Sequence, residues 1–289
     1  MSSLHNSRMS LAGRLRRSLL PRAAAMMIGA AAFGAAATGA QSDAAAAPTL
    51  LVGVDYVVPA FVPGAKVRTP EMPDAAMAEA VAQKLGERVD IVPATKLSDG
   101  SDSAPRPGNR NARAIALRSL PANAYTPPDM IRIPTGYAAR AMVIMRTDTD
   151  IKSWAQLKGR TVCVSEGGRY VGKMADLHGA IEQVYKAPAD ALLALRIGQC
   201  DAALHDDTML NALIELPEWK KFSASLPPST LPGTSLDFIV RSDDADTITA
   251  LRQLTDEWKS KRYLAKLNVQ RVRDIAFEVY LDQTVSDCH

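Results

Sequence analysis

The residues that could do chemistry gather in a few short stretches. Gly167-Gly168-Arg169-Tyr170 stands between an apolar run and a helical pattern. Free backbone N–H groups at such a helix start would receive a carboxylate or another anion, although two glycines also serve a tight turn through backbone geometry alone. His205-Asp206-Asp207 closes a second apolar run, and either aspartate would cap a helix through Thr208-Met209-Leu210. Tyr56, just past the first apolar run, suits stacking over a bound molecule or ordinary rim packing. The histidines His178, His205 and His289 and the three cysteines lack the spacing of zinc ligands, so no metal is expected. No GxGxxG or phosphate-loop pattern occurs, and no Ser/His/Asp or Cys/His set is visible, so no cofactor and no nucleophilic enzyme are expected.

The elements that must position these groups alternate. Thr49–Val54 reads as a buried strand feeding a Pro/Gly-rich loop, and Pro73-Asp74 opens a helix in which Ala76, Met77, Ala80, Val81 and Leu85 recur at helical spacing before Gly86. Val89–Val92 is the next strand, and the polar stretch Lys96–Asn111 reads as an exposed connection. Short strands are expected at Ile115–Leu117 and Ile131–Ile133, and a stronger one at Met142–Met145. A short helix with Trp154 and Leu157 precedes strand Thr161–Val164, a helix from Tyr170 to Tyr185, a helix Ala189–Ile197 and a strand Cys200–Leu204. Strand Leu236–Val240, an amphipathic helix Ala245–Tyr263 and a helical tail follow. This alternation implies α/β architecture with mostly parallel sheets flanked by helices, in two lobes.

The segment Asp150–Gly168 (DIKSWAQLKGRTVCVSEGG) and the later Leu195–Asp207 (LRIGQCDAALHDD) resemble the second lobe of the type II periplasmic solute-binding proteins. More narrowly, they are similar to family 3, which serves amino-acid ABC transporters. The resemblance rests on Leu157-Lys158-Gly159, Gly167-Gly168, Gly198, Asp201-Ala202 and Asp206, with Thr49–Phe61 and Pro73–Gly86 resembling the first strand and helix. It implies residues 48–145 as lobe 1, 146–236 as lobe 2 and 237–289 as a return to lobe 1 with a helical tail. A hinged cleft would close on a small polar solute and present it to a membrane permease, the protein itself being a monomer. The glycine turn would touch ligand, with Gly168, Arg169 and Tyr170 where the family commonly has a hydroxyl. Asp206 would hold the ligand's ammonium by a charge-assisted bond. The family's lobe-one carboxylate clamp, Thr/Ser-x-x-Arg shortly before an aromatic-rich strand, is missing, leaving Arg140, or Arg113 or Arg118, as substitutes or as solvated surface charges. Cys163 and Cys200 fall in expected neighbouring strands, and some relatives carry cysteines at these places, so a disulfide is expected in an oxidising compartment, with Cys288 left free.

A leader accounts for that compartment. Basic residues to about position 22, the apolar Ala23–Ala37 and the small residues Thr38-Gly39-Ala40 read as a signal peptide over 1–40 that is removed on export to the periplasm, with Ala47 an alternative cut. Arg16-Arg17 leaves twin-arginine export open beside the general route. The apolar stretch is short of the roughly 20 residues that span a bilayer. Five arginines lie in the leader; the other 249 of the 289 residues hold 29 Lys and Arg against 31 Asp and Glu, which disfavours nucleic acid as a partner. Two other functions stay open: a dehydratase-like enzyme using Glu166 or Asp206 as general acid, and a sensory or accessory binding protein for a membrane partner.

Overall fold

The computed structural model describes residues 48–97 and 113–284. The leader, residues 98–112 of the polar connection, Cys288 and His289 lie outside the described residues. In chain order the elements are β1 (Thr49–Val54), α1 (Asp74–Leu85), β2 (Arg88–Pro93), β3 (Arg113–Pro121), β4 (Met130–Ala139), β5 (Ala141–Met145), β6 (Thr161–Ser165), α2 (Lys173–His178), β7 (Ile181–Tyr185), α3 (Pro188–Arg196), β8 (Ala202–Asp206), α4 (Asp207–Ile214), β9 (Ala224–Ser225), β10 (Thr234–Arg241), α5 (Ala245–Lys261) and α6 (Tyr263–Asp282).

They build two five-stranded sheets, ordered β2-β1-β3-β10-β4 and β7-β6-β8-β5-β9. In the first, β1 runs parallel to β2 and β3, while β10 is antiparallel to β3 and β4. In the second, β6 is parallel to β7 and β8, while β5 is antiparallel to β8 and β9. Each sheet thus joins a parallel βαβ portion to an antiparallel edge. The chain crosses between sheets at Arg140, so β5, assigned to the first lobe from the sequence, is a strand of the second sheet; it returns to the first at β10.

Leu50, Val52 and Val54 of β1 are fully buried against Met77, Val81, Phe238, Leu251 and Trp258, which fixes α1 and α5 on the first sheet. The tail then departs from a simple return. Arg262, at φ 53° the one non-glycine residue in the left-handed region among the described residues, turns the chain between α5 and α6. Val272, Ile275 and Val279 of α6 pack instead with Leu192, Leu195, Leu210 and Trp219 beside the second sheet. One helical tail therefore tethers both lobes.

Four expectations change. The segment 170–185 is not one helix: α2 has six residues, Gly179 ends it at φ 63°, and Ile181–Tyr185 becomes the edge strand β7. Ile115–Leu117 and Ile131–Ile133 lie within longer strands, because β10 supplies antiparallel partners to Ala116–Pro121 of β3 and along β4, while β1 pairs the start of β3. Trp154–Leu157 is a single 3₁₀ turn. Cys200 sits just before β8 rather than in it, yet it is bonded to Cys163 of β6 with Cα atoms 5.8 Å apart. No helix of the described residues is long and apolar enough to cross a membrane.

Candidate functional site between the sheets

The loop from Asp55 to Pro73 begins on the first sheet and is fastened to the second. At its start, the Asp55 carboxylate accepts from the Arg118 guanidinium and from the Ser119 backbone N–H (2.9 Å), both on β3. Further on, Arg68 pairs with Asp190 of α3 (2.6 Å) and with Asp282 of α6, and Lys66 also reaches Asp282 (2.6 Å). Thr69 donates to Glu278 through its N–H (2.9 Å) and hydroxyl (2.6 Å). Arg271 of α6 donates to the carbonyl oxygens of Pro70 (2.8 Å) and Glu71 (2.5 Å). Carbonyls of an irregular buried loop need donors, and α6 provides them.

This fastening drives Glu71 into the second lobe. Its carboxylate, 7% exposed, accepts from the Ser165 hydroxyl at the end of β6 and lies 3.1 Å from His205 Nδ1 on β8. Burial acts to raise the Glu71 pKa, but His205, Ser165 and Arg271 outweigh it and hold the group below its ordinary value. Ser165, His205 and an acid thus meet in space, but not as a nucleophile relay: the hydroxyl donates to the carboxylate and is buried, and His205 Nε2, the nitrogen free to act, has no partner.

Asp206 sits beside this group at the start of α4. Its side chain makes no capping bond; instead it accepts from Tyr137 Oη of β4 (2.7 Å) and Tyr170 Oη (2.8 Å) and pairs with Arg169 Nη2 (3.2 Å). Burial raises its pKa against the opposing pull of Arg169, and burial with the Asp206 charge raises both tyrosines as well. Arg169 extends the network to the first lobe through the Thr234 hydroxyl and Met72 Sδ (3.4 Å). Its Nε is buried without a partner.

In front of this wall lies a cavity of about 390 Å³ with surfaces from both lobes. Asp55, Tyr56, Asp74 and Ser119 line it from the first lobe, and Gly168 and Arg169 from the second. Gly167 must be glycine here: its φ is +78°, and the Tyr56 ring occupies the space a Cβ would take. Burial, with Glu166 beside it, raises the Tyr56 pKa. Asp74 is pushed up to about 6, chiefly by burial and only partly offset by the Ala75 N–H (2.9 Å) and by Arg271.

Of the expected site residues, Tyr56, Gly168 and Arg169 line this cavity, while Tyr170 and Asp206 stand behind Arg169 and hold it. Arg140 lies elsewhere, exposed at the crossover in a separate groove with Asp207 and Gly233. Arg118 is engaged by Asp55, and Arg113 by Glu87 at 3.5 Å. The expected anion cradle at the start of α2 is already filled: Glu182 of β7 accepts from the N–H groups of Gly172 (2.6 Å), Met174 (2.6 Å) and Ala175 (3.1 Å). Sequence reasoning missed Glu71, Asp74, Tyr137 and Arg271. Asp74 was read only as a helix opener; two acids at a loop-to-helix junction were the available signal. A larger groove of about 780 Å³ beside α6, lined by Arg196, Phe277 and Tyr280 among others, shares no lining residue with this cavity.

No family model and no curated protein matches the chain. Solved structures do. The amino acid ABC transporter substrate-binding protein AbpA from Streptococcus pneumoniae, bound to L-arginine, is similar at 16% identity over 79% of this chain and 95% of its own, with a TM-score of 0.50. The P235GK mutant of ArgBP from T. maritima is 21% identical over 79% of this chain and 95% of its own, at TM-score 0.47. The ancestral amino acid-binding protein AncCDT-1, described as a precursor of cyclohexadienyl dehydratase, is 18% identical over 78% and 95%, at 0.48. At such identities the likeness is one of fold. With its two mixed sheets and the crossovers at β5 and β10, the chain shares the two-lobed α/β fold of AbpA.

Proposed function

We propose that the chain is a solute-binding receptor: an exported, monomeric protein that captures a small polar solute, an amino acid or related compound, between its lobes and delivers it to an ABC permease. The observation that carries this reading is the cavity of about 390 Å³ walled by charged side chains of both lobes, a volume suited to a small metabolite. A solute touching both walls favours the closed arrangement by its differential contacts, and that arrangement is what a permease would recognise. Tyr56 covers the solute, Gly168 lets it approach the backbone, and Arg169 contacts it. Tyr170 and Asp206 position Arg169 rather than the solute.

A thermal-shift screen over amino acids, amines and small carboxylates tests the proposal. At least one solute should raise the melting temperature of the wild-type protein. Ser119→Trp, which fills the cavity from β3, should abolish that shift while leaving the circular dichroism spectrum unchanged. A hit whose shift survives Ser119→Trp would place binding elsewhere and overturn the reading.

A further inference from the structure

The charges of the cavity are arranged in an order that constrains what fits. On the second lobe, the carboxylate that the resemblance assigns to a ligand's ammonium, Asp206, is 2% exposed and already satisfied by Arg169, Tyr137 and Tyr170. The charged residue that this lobe contributes to the cavity lining is Arg169, whose side chain is 10% exposed; its terminal nitrogens meet Thr234, Met72 and Asp206, and its Nε has no acceptor. A buried donor left unpaired calls for a partner. Among the described first-lobe residues that line the cavity there is no arginine, and the nearby Arg118 is held by Asp55 and Arg132 by Asp237. That wall carries Asp74 instead, 7% exposed, which accepts only from its neighbour's N–H and forms no ion pair among the described residues.

We propose that the cavity binds its solute with reversed polarity, taking an ammonium on the first lobe at Asp74 and an acceptor, carboxylate or carbonyl, on the second lobe at Arg169. The inference rests on the receptor reading above and narrows its solute to the ω-amino acids and related amines with an acceptor at the far end. An α-amino acid with an uncharged side chain carries its ammonium and its carboxylate on the same carbon and presents both at one end, whereas a chain separates them in an ω-amino acid. Between the two ends, Tyr56, Leu117 and Leu236 offer apolar surface for a methylene chain.

Isothermal titration calorimetry with ω-amino acids from 3-aminopropanoate to 6-aminohexanoate, and with butylamine and butanoate as single-ended controls, tests this. One ω-amino acid should bind, butylamine at least tenfold more weakly, and butanoate not at all. Asp74→Asn, which retains an acceptor for the Ala75 N–H, should weaken the best ω-amino acid at least tenfold. Acidification from pH 7 to 5 should weaken wild-type binding about tenfold, because Asp74 takes up a proton near pH 6. The charged groups around it are Asp55 at the end of β1, Glu71 on its own loop with His205 behind, Arg271 on α6 and Arg169 after β6. Loss of the pH dependence in Asp74→Asn separates Asp74 from His205. Equal binding of butanoate, or unchanged affinity in Asp74→Asn, would overturn the reversed polarity. Binding of an α-amino acid that Asp206→Asn abolishes would overturn it too while leaving the receptor reading intact. Failure of every charged solute to bind would sink both.

Discussion

Glu71 and Asp74 are three residues apart, both nearly buried, and titrate in opposite directions. Glu71 meets Ser165, His205 and Arg271, and these partners outweigh its burial; Asp74 meets one local N–H, and burial prevails. The consequences for stability have opposite signs. Because Asp74 binds its proton more tightly folded (about 6) than unfolded (3.8), stability declines as pH rises through that window and stays lower above it. Asp74→Asn should therefore stabilise the unliganded protein at pH 7 by about 1–3 kcal/mol and flatten the pH 4–6 dependence, as read by urea denaturation. Glu71 works the other way. Its stabilisation is present above 4.5, its ordinary value, and is lost as pH falls through its lowered folded pKa. Glu71→Ala, which leaves Ser165 and His205 buried without their acceptor, should cost about 3 kcal/mol at pH 7 in the same assay.

At the scale of elements, the second sheet owes its order to pairings across long chain separations. The Cys163–Cys200 disulfide closes a separation of 37 residues that contains α2, β7 and α3, and so ties the parallel β6–β8 pair together. In the chain-entropy account such a closure stabilises by roughly 3–4 kcal/mol. Replacing both cysteines by alanine should remove about that amount in urea titrations without changing the sheet content by circular dichroism. The short helix α2 stands for a different reason. With six residues it is below the length that sustains an isolated helix, and the Glu182 carboxylate on its first N–H groups, together with buried Met174, holds it.

For the whole molecule, the decisive feature is that α6 and the loop before α1 fasten the lobes to each other. Arg68, Thr69, Pro70 and Glu71 bind α3, α6 and the second sheet in succession, while α5 remains on the first sheet. Closure is thus supported by the chain's own polar groups, Arg169–Thr234 and Tyr137–Asp206 included. Arg271→Ala, which frees two loop carbonyls and unbinds the strap from α6, should lower stability by about 2–4 kcal/mol. It should also enlarge the radius of gyration in small-angle scattering. A variant with lowered stability and an unchanged scattering curve would show that α6 contributes packing without governing closure.

What the sequence determined alone is what repeats over a few residues. The alternation of apolar runs with helical spacing placed β1, α1, β6, α3, β10 and α5, and the Gly167-Gly168 turn was legible by its local residue types, while the disulfide was expected from the neighbouring strands of its cysteines, the family resemblance and the leader. The same local reading failed at 170–185, where Gly179 divides a helical pattern and an edge strand with only one buried face carries little periodicity. The tertiary structure decided what each charge meets. Asp206 reads the same in sequence whatever its partners, and only the tertiary structure brings Arg169, Tyr137 and Tyr170 to it. Glu71 finds hydrogen-bond partners 94 and 134 residues away, and Asp74 accepts from the N–H of the next residue. Periodicity reports which face of an element is buried; the pairing of polar groups on buried faces depends on how the elements dock, and that information is not local.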